Sequence, residues 1–104
     1  MLLRHATLRR YLPGIERRGL LCRKSLGKLK VVWLHAPGKT AWALLHTVRR
    51  HGGRIEDVVV FELDVPRGWL RKGRRGLWFS VNDVPFGRVA RLIDFASAAE
   101  PCVA

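Results

Sequence analysis

Asp57-Val58-Val59-Val60-Phe61-Glu62-Leu63-Asp64-Val65 reads as the clearest strand of the chain. Its residues are β-branched or aromatic, and Val58 to Phe61 run without a polar break. Alternation is missing, so the strand is expected to be buried on both faces. Such a strand needs a layer of other elements above and below it.

Upstream, Val31 to His35 is a second strand, closed by Pro37-Gly38. A helix from Thr40 to about His51 joins the two. Thr40 is its candidate cap, and Ala41, Trp42, Leu44, Leu45 and Val48 form an apolar stripe. Arg49 and Arg50 lie in its last turn, where cations complement the helix dipole, and Gly52-Gly53 ends it. Residues 1–5 form an apolar strand. Leu8 to Arg18 reads as a helix with Thr7 as N-cap and Gly19 as its stop, although Pro13 favours a start near Leu12. Residues 23–30 form a basic loop. Downstream come a turn or short helix over Pro66 to Lys72, a strand over Gly76 to Val81 closed by Val84-Pro85, and a final helix over Gly87 to Ala98. The order predicts a single α+β domain over residues 1–104, with small mixed or antiparallel sheets and two to three helices.

The length of 104 residues suits one domain with one core. No apolar run approaches the ~20 residues of a membrane span, and the N-terminus lacks the apolar stretch of a signal peptide. Cys22 and Cys102 are expected as free thiols in a cytoplasmic protein. The histidines and cysteines are scattered, His46 and His51 do not share a helix face, and no metal site is expected.

Charge is the strongest compositional signal: 20 Lys and Arg against 8 Asp and Glu give a net charge of +12. Self-repulsion of that size calls for a neutralising polyanion, and arginine outnumbers lysine 15 to 5. Arginine forks phosphate and stacks on bases, so nucleic acid, with RNA favoured, is the expected partner. Arg67, Arg71, Lys72, Arg74 and Arg75 surround Trp69 and precede Trp78, a mixture suited to single-stranded nucleic acid. A second cluster, Arg9, Arg10, Arg17, Arg18, Arg23 and Lys24, lies on the first helix and its loop, with Tyr11, Leu12 and Ile15 facing inward. Trp33, Trp42, Phe61 and Trp78 read as core. Gly38-Lys39-Thr40 between strand and helix has the end of a phosphate loop, but Trp33 stands where its first glycine belongs; the helix start remains a candidate anion site.

Three segments then carry a resemblance. Arg4-His5-Ala6-Thr7, followed by Ile15, Gly19, Leu20 and Leu21, is similar to the opening of ADP-ribosyltransferase-like proteins, including DNA-targeting toxins. Val32-Trp33-Leu34, the helix alanines, Arg50-His51-Gly52 and the strand from Val58 to Leu63 resemble the middle of the tRNA 2′-phosphotransferase family. Gly76-Leu77-Trp78-Phe79-Ser80 and Val84-Pro85 resemble that family's late strand. Together they span residues 4 to about 89.

The resemblance implies an NAD-binding cleft between two small sheets and an RNA 2′-phosphotransferase-like activity. His5 and Arg50 would be catalytic: His5 bonding a ribose of the cofactor, Arg50 a phosphate. His5, Thr7 and Trp33 would bind the cofactor, and Arg71, Lys72, Arg74 and Arg75 would join Arg50 in holding nucleic-acid phosphate. Two features depart from the pattern: no N-terminal lobe precedes His5, and the late strand has no glutamate, with Asp83 the nearest acid and Glu62 on the earlier strand. A basic RNA- or DNA-binding module without catalysis is the alternative.

Overall fold

The computed structural model describes residues 1–95. Strand β1 (Leu2–Leu8) leads into helix α1 (Leu12–Arg18). Strand β2 (Val32–His35) is followed by helix α2 (Thr40–His51), then β3 (Val58–Asp64), β4 (Leu70–Lys72), β5 (Leu77–Ser80) and β6 (Val89–Asp94). The strands form one sheet in the order β4-β5-β2-β1-β3-β6, and every pairing is antiparallel. The fold is α+β, but the described residues form one six-stranded sheet in place of the small separate sheets expected, and no pairing of the mixed kind occurs among them.

Strand β3 lies between β1 and β6, and Val58, Val59, Val60, Phe61 and Leu63 are fully buried. Both faces are covered, as the unbroken apolar run requires. On one face Leu3, Val59, Phe61, Leu63, Val32 and Leu34 pack with Leu20 and Val84, and α1 adds Leu12 and Ile15. On the other face Leu8, Val58 and Val60 meet Leu44 and Val48 of α2.

The sheet is nearly severed in the middle. β1 pairs with β3 along its whole length, from Leu2↔Asp64 to Leu8↔Val58, but with β2 through Arg4↔His35 alone. The halves β4-β5-β2 and β1-β3-β6 therefore diverge beyond that pair.

Four expectations are corrected. Thr7 caps no helix, because β1 continues through Leu8, whereas α1 begins at Leu12 as Pro13 led one to expect. Pro66 to Lys72 becomes a single 3-10 turn over Arg67–Trp69 and then strand β4. Val89 to Asp94 is a strand, not a helix, because the outer edge of β3 would otherwise leave buried backbone groups unpaired. The remainder of that expected helix, and Cys102, lie outside the described residues. Finally, α2 rests on the sheet through Ala43, Leu44, Thr47 and Val48, whereas Ala41, Trp42 and Leu45 are exposed. Small residues at 43 and 47 let the helix approach β1 closely.

Candidate anion-binding cleft

Where β1 and β2 part, their backbones cannot complete a ladder, and a side chain takes over. His5 Nδ1 lies 2.7 Å from the Trp33 carbonyl. A carbonyl only accepts, so Nδ1 carries the proton and Nε2 keeps its lone pair. Burial pushes the His5 pKa below its usual value, outweighing the opposite pull of the Trp33 carbonyl. The ring is therefore a neutral imidazole with one acceptor nitrogen to offer.

The gap widens into a cleft of about 930 Å³. Its walls are the diverging segments of β1 and β2, the inner part of α1, the loop around Lys24 to Leu29 and one face of α2. Helical spacing places Ala43, His46, Thr47 and Arg50 on that face. His5, Thr7, Trp33 and Arg50 all line the cleft. Thr7 is buried, and Thr47 spends its hydroxyl on the Ala43 carbonyl at 2.7 Å.

Three aromatic residues expected to face inward, Trp33, Trp42 and Tyr11, lie at the surface instead, and α2 supplies a further part of the wall. Trp33 is 42% exposed and Trp42 45% exposed, so neither is core. Trp42 stacks on His46, with ring centres 4.8 Å apart and planes at 13°. Tyr11 is exposed rather than inward-facing, meets His51 edge-on, and carries Arg10 over its ring at 5.0 Å. Phe61 is core, and Trp78 packs against the core from a half-buried position. The i, i+3, i+4, i+7 pattern of Ala43, His46, Thr47 and Arg50 was the available signal for the α2 wall.

The electrostatics of the cleft are one-sided. Arg10, Arg18, Lys24, Lys28 and Arg50 line it, together with all four histidines, and among the described residues no Asp or Glu does. Burial is the first cause of a lowered pKa at His35, to about 4, followed by repulsion from His5 as it protonates and from Arg4. His51 is lowered by burial and then by Arg10, Arg50 and His46. Among the described residues, no three His, Cys, Asp or Glu side chains are placed to share a metal ion. The arrangement offers cations, aromatic faces and one neutral acceptor, which suits an anionic ligand with flat rings.

The other basic residues lie elsewhere. Arg71, Lys72, Arg74 and Arg75 sit at the β4 edge and its following turn, exposed and outside the cleft. Of the second cluster, Arg10, Arg18 and Lys24 reach the cleft, and Arg9 pairs with Asp94. The Lys39 stem packs over Gly76 at the start of α2. The acids are accounted for: Glu62 pairs with Arg4 at 3.0 Å and Arg91 at 3.5 Å, and Asp83 accepts the Cys22 backbone N–H at 2.7 Å. Among the described residues Cys22 has no disulfide partner. No helix among the described residues is long and apolar enough to cross a membrane. No known protein-family model matches the chain, and no curated protein matches it.

Proposed function

We propose that the protein is an NAD-using, ADP-ribosyltransferase-like enzyme acting on a nucleic-acid phosphate, in the manner of an RNA 2′-phosphotransferase. The observation that carries this reading is the convergence of His5, Thr7, Trp33 and Arg50 on one cleft free of carboxylates among the described residues. The partition of the sheet into two halves with the cleft at their junction supports it further.

The cleft fits the cofactor by size and chemistry. About 930 Å³ lies in the upper range of small-molecule sites, with room for a dinucleotide. Trp33, Trp42 and Tyr11 offer faces to flat rings, and Arg10, Arg18 and Lys28 offer charge to a pyrophosphate. NAD, when bound, would supply an electrophilic ribose carbon with nicotinamide as the leaving group. His5 Nε2 would accept from a ribose hydroxyl and orient the sugar, because Nδ1 is fixed on the Trp33 carbonyl. Arg50 holds the attacking phosphate, which needs no general base because it is already anionic. A cleft with no carboxylate among the described residues suits such an acceptor better than a neutral hydroxyl, which would need deprotonation.

Calorimetric titration of NAD into the full chain tests the reading, with His5→Ala as control. Saturable binding that weakens at least tenfold in a folded variant is the expected result, followed by turnover of 2′-phosphorylated RNA. Absence of binding at millimolar NAD would replace the enzyme with a second reading, a basic module that only binds nucleic acid. The same cation-rich walls, with no carboxylate among the described residues, favour that alternative.

A further inference from the structure

The half-sheet β4-β5-β2 presents aromatic and basic side chains on one face. In an antiparallel ladder, residues directly opposite one another project from the same face. The registers Trp33↔Phe79 and Arg71↔Phe79 therefore set Trp33, Phe79 and Arg71 in one row across three strands. The flanking rows belong to the other face, where Val32, Leu34 and Leu70 enter the core. Trp33 is exposed, and the Phe79 ring lies 5.3 Å from it, tilted by 58°. Arg71 Nη1 donates to the Gly68 and Leu70 carbonyls at 3.2 and 2.9 Å, which holds the guanidinium beside the strand. Among the described residues, neither Arg71 nor the neighbouring Lys72, Arg74 and Arg75 forms an ion pair. Strand spacing makes the row about 10 Å wide. At one end is the basic edge; at the other, Trp33 is a wall of the cleft.

We propose that this row is a docking track for a single-stranded nucleic acid. Bases stack on Phe79 and Trp33, while Arg71, with Arg74 and Arg75 of the following turn, takes the phosphates. The strand is thereby led toward the cleft. Stacking requires unpaired bases, and exposed cations beside the exposed Trp33 ring and the half-buried Phe79 ring are what such a strand needs. The docking stands whether or not the cleft reacts; only the direction of the strand rests on the proposed function.

The test is fluorescence anisotropy with a short labelled single-stranded RNA and with the same RNA annealed to its complement. The proteins are the wild type, Phe79→Leu, Phe79→Tyr, Arg71→Gln and the charge-matched control Arg17→Gln, which changes an exposed arginine outside the cleft. The single strand is expected to bind more tightly than the duplex. Phe79→Leu should weaken it by roughly fivefold or more, and Phe79→Tyr should preserve it. Arg71→Gln should reduce the slope of log affinity against log salt by about 0.7, and Arg17→Gln should leave it unchanged. Wild-type affinity in a folded Phe79→Leu, or a duplex bound as tightly as the single strand, overturns the proposal. NAD titrated into the wild type and into Arg71→Gln, whose side chain lies outside the cleft, reports on the cleft separately, so failure of the track and failure of the enzyme reading are distinguishable.

Discussion

His35 is the buried histidine of the cleft wall, and its environment makes acid costly. Burial, then His5 and Arg4, lowers its pKa from 6.5 to about 4. Between those values the unfolded chain binds more protons than the folded one, so stability is full above pH 6.5 and falls as pH drops toward 4. The shift corresponds to about 3 kcal/mol at most. His5 and His51 are lowered as well and act in the same direction. Urea unfolding at pH 7 and pH 4.5 checks this: His35→Gln should lose less stability between the two, by on the order of 2 kcal/mol. A second residue-scale prediction concerns Glu62. Its side chain is 18% exposed and holds Arg4, itself 16% exposed, whose Nη1 also donates to Thr40 at 3.0 Å. Glu62→Gln leaves that arginine without its counter-charge in a poorly solvated place, and should cost about 2–3 kcal/mol in the same unfolding assay. The sequence marked Glu62 as an acid in an apolar run; its arginine partners arrive from β1 and β6 and lie far away along the chain.

At the scale of elements, two glycines make opposite predictions. Gly19 ends α1 at φ +77°, where a Cβ would sit 2.4 Å from the Val84 carbonyl oxygen. That contact is tight because Leu20 and Val84 exchange backbone hydrogen bonds at 2.8 and 2.9 Å. Gly19→Ala should therefore destabilise by about 3 kcal/mol or more. Gly14 lies within α1, and a Cβ there meets nothing within 4 Å. Gly14→Ala should stabilise by about 0.5–1 kcal/mol. Thermal unfolding of the two variants should thus move in opposite directions. Elements were legible where their signal is local: the buried run of β3, the Gly19 stop, the Gly52 end of α2. They were not legible where partners decide. Val89 to Asp94 mixes apolar and polar residues without a clean period, and the unpaired edge of β3 makes it a strand. Trp42 fits an apolar helix stripe by counting, but the closest approach of α2 to the sheet selects Ala43 and Thr47, which turns Trp42 toward the cleft. His5 and Arg50 were named from resemblance. That they line one cleft depends on the parting of β1 and β2, which no local pattern encodes.

For the molecule as a whole, the question is where a net charge of +12 is concentrated. A uniform basic coat and a focused anion site both repel themselves, and both are relieved by salt. They differ in how they respond to a compact multivalent anion. Sodium chloride should raise the melting temperature gradually by screening the entire surface. Inorganic triphosphate at low millimolar concentration adds little ionic strength, so a coat would respond weakly to it. A cleft lined by Arg18, Lys28 and Arg50 should bind it, and an anion at 100 times its Kd stabilises by about 2.7 kcal/mol. For a domain of this length that is a rise of roughly 10 °C or more. The triple variant Arg18→Gln, Lys28→Gln, Arg50→Gln should lose this rise and retain the chloride effect. Removing three positive charges from the exposed β4 edge instead, as Arg71→Gln, Arg74→Gln, Arg75→Gln, matches the charge change and should leave the triphosphate effect in place. If the two triple variants lose it equally, the charge acts as a diffuse field, and the cleft holds no privileged anion site. If only the first loses it, the positive potential converges where β1 and β2 part, and the exposed β4 edge is left to guide a longer polyanion.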